Sequence, residues 1–93
     1  MFENKKIFIL GMARSGYSAA KLLKKHNNEI LITDAREQDE EHVKELKALG
    51  VNFIQTEKPE ELLDDTFDYV IKNPGIKINH PLLYSSKYIY FDR

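Results

Sequence analysis

Two glycines, Gly11 and Gly16, bracket the turn Gly11-Met12-Ala13-Arg14-Ser15-Gly16, directly after the apolar run Ile7-Phe8-Ile9-Leu10. A strand that ends in such a turn passes the chain to a helix whose first N–H groups have no intrahelical acceptor. With the positive end of the helix dipole, those donors suit a phosphate or a diphosphate. Asp34 follows 18 residues after Gly16, at the end of a second apolar run, Ile30-Leu31-Ile32-Thr33. In nucleotide-binding α/β folds an acid at that place reads the sugar or the base. Its carboxylate can accept from ribose hydroxyls or from the N3–H of uracil. Two residues on, the planar guanidinium of Arg36 can stack on a base or contact a phosphate. A third loop, Asn73-Pro74-Gly75-Ile76, holds Asn73 extended before proline and lets Gly75 come close to a ligand or to another segment.

Each of these features also has a plainer explanation. The glycine turn keeps the outer glycines of the dinucleotide fingerprint but places Ala13 where the middle glycine would stand. A methyl group there disfavours the tight pose of NAD, and the two glycines could serve packing alone. Asp34 and Arg36 could form an Asx turn or a solvated ion pair, and Asn73-Pro74-Gly75 could be an ordinary turn. His80 before Pro81 most simply precedes a helix, and no partner at ligand spacing gives it a metal role. His26 and His42 read as exposed helix residues. The acidic run of residues 37–41 reads as a solvated helix start and is assigned no metal. Tyr69, Tyr84, Tyr88 and Tyr90 read as core or sheet residues.

These loops need elements to hold them, and the pattern alternates strand and helix. Strands are expected at residues 6–10, 29–34, 51–55, 67–72 and 88–91. The first is buried on both faces, because its apolar run does not alternate. Helices are expected at residues 15–25, capped by Ser15, and at 37–49, with Gly50 as the stop. In the first helix Gly16, Ala19, Ala20 and Leu23 share a face; in the second, Val43, Leu46 and Leu49 point inward. A short helix at residues 59–63 opens on Pro59, and another spans 80–86. Strands separated by helices imply right-handed crossovers, hence an α/β, Rossmann-like three-layer domain with a five-stranded parallel sheet in the order 3-2-1-4-5. The three loops then meet at the carboxyl edge, where the chain changes direction and where ligands of such sheets bind.

At 93 residues the chain is read as one domain over residues 1–93, without repeats or a low-complexity linker. A chain of this size buries only ~60–65% of its unfolded surface. The net charge of −1, from 14 basic and 15 acidic residues, gives no footprint for nucleic acid. The absence of cysteine excludes a disulfide framework and fits a reducing compartment. Its first apolar stretch is too short for a membrane span and makes a poor signal peptide. A soluble, cytoplasmic domain is expected.

With the three loops and His80-Pro81-Leu82 in register, the chain resembles the amino-terminal domain of the Mur ligases, most of all the D-glutamate-adding branch of that family. The matching pieces are the turn with Tyr17-Ser18-Ala19-Ala20, then Thr33-Asp34-Ala35-Arg36, then Asn73-Pro74-Gly75-Ile76. The resemblance implies a domain that holds the UDP part of UDP-N-acetylmuramoyl-L-alanine in cell-wall (peptidoglycan) biosynthesis. By that resemblance the backbone of Ala13, Arg14, Ser15 and Gly16 cradles the diphosphate. Asp34 and the backbone of Ala35 read uracil, Arg36 lies against the ring, and Asn73, Pro74 and Gly75 form the facing wall. Asn73 stands where many relatives carry serine. The full ligase of that family uses ATP and magnesium to form an amide, through a G-x-x-G-K-[ST] loop that this sequence lacks. The chain is therefore expected to be a piece of such a ligase, to carry no catalytic residue or cofactor of its own, and to bind without catalysing. A nicotinamide-sensing dinucleotide module is the alternative. A receiver-like signalling domain is disfavoured, because Gln55-Thr56 stands where it needs an aspartate.

Overall fold

Lys6–Leu10 forms β1, and from Ile7 onward every residue of it is buried. The computed structural model describes residues 3–12, 14–72 and 88–90, with residues 14, 15 and 88–90 described by their backbone alone. β1 pairs in parallel with β2 (Glu29–Asp34) on one side and with β4 (Tyr69–Lys72) on the other. Beyond β2 lies β3 (Asn52–Gln55), and beyond β4 the three-residue β5 (Tyr88–Tyr90), both parallel to their neighbours. The order is β3-β2-β1-β4-β5.

Helix α1 (Arg14–Lys24) joins β1 to β2, and α2 (Glu40–Ala48) joins β2 to β3. Both crossovers step the same way across the sheet, so both helices cover one face. On that face Ile7, Ile9, Ile30, Ile32 and Ile71 pack with Ala20 of α1 and Leu46 of α2. The strand period of two sends Phe8, Leu10 and Val70 to the opposite face. There they meet Leu63 and Phe67 from the segment between β3 and β4. The Phe8 and Phe67 rings meet edge to face, with centroids 5.0 Å apart at 89°. Among the described residues no helix is long and apolar enough to cross a membrane.

Several boundaries differ from the sequence expectation, each for a local reason. α1 begins at Arg14, so Ser15 lies inside its first turn and is not its cap. α2 begins at Glu40 because the Asp39 carboxylate accepts the N–H groups of Glu41 and His42, which leaves residues 37–38 outside the helix. Leu49 does not point inward; it is 46% exposed. The helix closes there in a Schellman motif, with Gly50 N–H on the Lys47 carbonyl and Val51 N–H on the Leu46 carbonyl. Val51, buried beside Leu46, takes the inward place expected of Leu49, which also shortens β3 to begin at Asn52. Residues 59–63 contain a single 3₁₀ turn, Pro59–Glu61. β4 starts at Tyr69, since Phe67 is used under Phe8. The expected helix at residues 80–86, Tyr84 and Phe91 lie outside the described residues.

Candidate functional site

β1 ends at Leu10, opposite Thr33 of β2 and Lys72 of β4. From there Gly11 turns the chain with φ of +103°, a conformation that L side chains rarely adopt. Its N–H donates to the Thr33 carbonyl at 2.7 Å, extending the β1–β2 ladder by one bond. The next N–H, of Met12, donates to Asp34 Oδ2 at 2.8 Å. The other carboxylate oxygen, Oδ1, accepts the Arg36 N–H at 2.9 Å, which makes an Asx turn. The plainer reading of Asp34 is therefore present, and with it a tie across two loops that the Asx turn alone would not give.

Gly16 lies buried in the first turns of α1. A Cβ there would stand 2.0 Å from the Gly11 carbonyl oxygen and 3.6 Å from Ile32 Cδ1. The second glycine is thus required by the close approach of α1 to the turn. That approach holds the start of α1, whose first N–H groups have no intrahelical acceptor, against the turn whose Met12 N–H is bound by Asp34.

Of the expected site residues, the structure places Gly16, Asp34, Ala35 and Arg36 together at the carboxyl edge, with the backbone of Arg14 and Ser15 opening α1. Asp34 is half-buried, and Ala35 and Arg36 are exposed. Ala13, Asn73, Pro74 and Gly75 lie outside the described residues. Gln55 at the end of β3 borders the same edge, with its Nε2 3.5 Å from the Ala35 carbonyl. Lys72, which the sequence pattern did not single out, is buried at the end of β4 beside Leu10. A cation closing an otherwise apolar strand was the signal available for it.

The sequence reading also missed a cluster joining α1 to α2. The Glu45 carboxylate accepts from Lys21 Nζ at 2.7 Å and from the Tyr17 hydroxyl. The Tyr17 ring stacks on His42, with centroids 4.4 Å apart. The hydrogen bond from Lys21 holds the Glu45 carboxyl below its ordinary range, and the bonds to Glu45 raise both Tyr17 and Lys21. The cluster lies on the helical layer and joins α1 to α2. A groove of about 560 Å³, lined by Lys6, Glu29, Leu31, Ile54, Leu62 and Phe67 among others, draws on the first residues of β1 and β2. Ligands of open α/β sheets bind at the other end of the strands. Among the described residues no three acids or histidines gather as a metal site.

The family model of the Mur ligase MurD-like N-terminal domain matches residues 5–88. The chain belongs to this family. The UDP-N-acetylmuramoylalanine–D-glutamate ligase of Enterococcus faecalis is 40% identical to this MurD-like domain over 83 residues, 88% of the chain and 18% of that ligase. The ligase of the same name from Enterococcus hirae is 43% identical over 82 residues, 87% of the chain and 18% of its own length. The domain thus spans less than a fifth of those relatives. Among solved structures, the Cj0485 dehydrogenase superposes with a TM-score of 0.64 at 26% identity, over 91% of this chain and 38% of that one. A formate dehydrogenase from Granulicella gives 0.61 at 17% identity, over 82% and 19%. Both are likenesses of fold.

Proposed function

We propose that this MurD-like domain binds the UDP part of UDP-N-acetylmuramoyl-L-alanine for a D-glutamate-adding ligase of peptidoglycan synthesis. The observation that carries the proposal is the Met12–Asp34 hydrogen bond, which sets the helix-opening turn and the acid that ends β2 side by side. In this reading the N–H groups of Ala13, Arg14, Ser15 and Gly16 receive the diphosphate. Asp34 and the backbone of Ala35 read uracil, Arg36 lies on the ring, and Asn73, Pro74 and Gly75 close the facing side. An ionised carboxylate offers about four acceptor positions, so the two backbone bonds leave Asp34 free to take a ligand donor.

The domain's part in the reaction is anchoring. Binding energy gathered at the remote UDP places the reacting carboxylate of the substrate where the chemistry occurs. ATP and magnesium, which supply the activation in such a ligase, belong to its other domains, the partners of this one. No G-x-x-G-K-[ST] loop is present here, and no residue of this chain is given a catalytic role. A cytoplasmic location accompanies this reading.

The test is a comparison of UDP and NAD by amide chemical-shift titration of the 93-residue chain. UDP should shift the amides of residues 11–16 and 34–36 at lower concentration than NAD. A charge-assisted hydrogen bond contributes about 1.5–3 kcal/mol, so Asp34→Ala should weaken UDP binding ten- to a hundredfold or so. Tighter binding of NAD, with UDP indifferent to Asp34→Ala, would replace this reading with a dinucleotide module.

A further inference from the structure

Both oxygens of Asp34 are engaged by the chain itself, one by Met12 N–H across 22 residues and the other by Arg36 N–H. Its own carbonyl accepts the Thr56 N–H at 2.9 Å, so the residue also ties the end of β3 to the same edge. Met12 lies between Gly11, where the chain turns, and Arg14, where α1 begins. The bond on its N–H is therefore made two residues ahead of α1, where it can bear on how the chain enters the helix. Gly11 is held from one side by Thr33 and Met12 by Asp34, so two consecutive amides of the turn hang on two consecutive residues of β2.

We propose that Asp34 is a positioning residue for the diphosphate as well as a reader of the base, so that both ends of a nucleoside diphosphate bind cooperatively through one carboxylate. This rests on the nucleotide reading above and adds a role that reading does not contain. The carboxylate has the wrong charge to attract a phosphate, and that gives the test its sign. An acid acting through charge alone repels the anion, and its removal tightens phosphate binding. A clamp that aims the turn does the opposite when removed.

The experiment is an amide-shift titration of the wild-type chain, Asp34→Ala and Asp34→Asn with uridine, UDP and inorganic pyrophosphate. Asparagine has one carbonyl oxygen and an NH₂, so it keeps one of the two backbone bonds and opposes a donor to the other. Loss of the clamp should weaken pyrophosphate binding about tenfold in Asp34→Ala and less in Asp34→Asn. The gain in affinity from uridine to UDP should shrink by the same factor. Pyrophosphate bound equally or more tightly by the variants overturns the proposal, as does an equal loss for uridine and UDP. If Asp34→Ala does not fold, Asp34→Asn decides by the same sign. Wild-type binding of pyrophosphate that depends on Asp34, without binding of UDP, sinks the nucleotide reading and leaves the positioning role standing. A wild-type chain that binds neither overturns both.

Discussion

Gly16 and Gly50 are demanded for different reasons, and substitution should separate them. At Gly16 a methyl group meets the Gly11 carbonyl oxygen at 2.0 Å, so the helix or the turn must move. Overpacking of this kind costs about 1–3 kcal/mol, and Gly16→Ala should lower the urea midpoint while shifting the amides of Gly11 and Met12. At Gly50 the methyl meets only the flexible end of Lys24, but φ is +92°. Gly50→Ala should cost about 1–2 kcal/mol from backbone conformation alone, with the amides of the turn unmoved. The glycine spacing made both positions visible in the sequence, because glycine is the residue with special conformational uses. The tie from Met12 to Asp34 was not visible. It depends on the β1–β2 register that sets Leu10 opposite Thr33, and a register is a property of two segments together. Lys72 was missed although it closes an apolar strand, because a lysine at a strand end is ordinarily solvated, and only the packing around β4 shows it buried.

The strands were the more legible elements and the helix ends the less so. The apolar runs of β1 and β2 are continuous, so the strands end within one residue of the runs. The start of α2 was hidden in the run Glu37-Gln38-Asp39-Glu40-Glu41, any of whose four acids suits a helix dipole, and only the capping geometry of Asp39 selects one. Asp39→Ala should therefore cost about 1 kcal/mol in a denaturant melt, and Glu37→Ala much less. Between the helices, Glu45 faces Lys21, Tyr17 and His42. Its pKa is lowered from 4.5 in the folded chain, chiefly by the hydrogen bond from Lys21. The ionised form therefore favours folding. Its contribution is complete above the unfolded value and disappears as pH falls through the lower folded value. The stability gap between wild type and Glu45→Gln should be present at neutral pH and close on acidification below 4.5. A gap that persists or widens in acid would mean that the Glu45 carboxylate is not what joins the helices.

At the scale of the whole molecule, the run 3-2-1-4 of the sheet follows from parallel crossovers between consecutive strands and one reversal of direction, a consequence of chain handedness that needs no side-chain detail. That reversal sets the ends of β1 and β4 side by side and gathers the candidate site at one edge. It also makes stability uneven. β1 is hydrogen-bonded on both sides and buried from Ile7 to Leu10, so exposing its amides requires the sheet to come apart. β3 pairs with β2 alone among the described strands, and Asn52, Ile54 and Gln55 are exposed, so it can open locally. A ligand at the carboxyl edge stabilises the folded state as a whole, by about 2.7 kcal/mol at a concentration of a hundred times its dissociation constant. Hydrogen exchange with UDP at that ratio should therefore slow the amides of Ile7, Phe8 and Ile9 by about a hundredfold. The amides of β3 that open locally should slow much less, since their opening leaves the turn and Asp34 in place. Equal slowing along β1 and β3 would show that the sheet opens as one unit, and no slowing in β1 would show that UDP does not bind the folded chain.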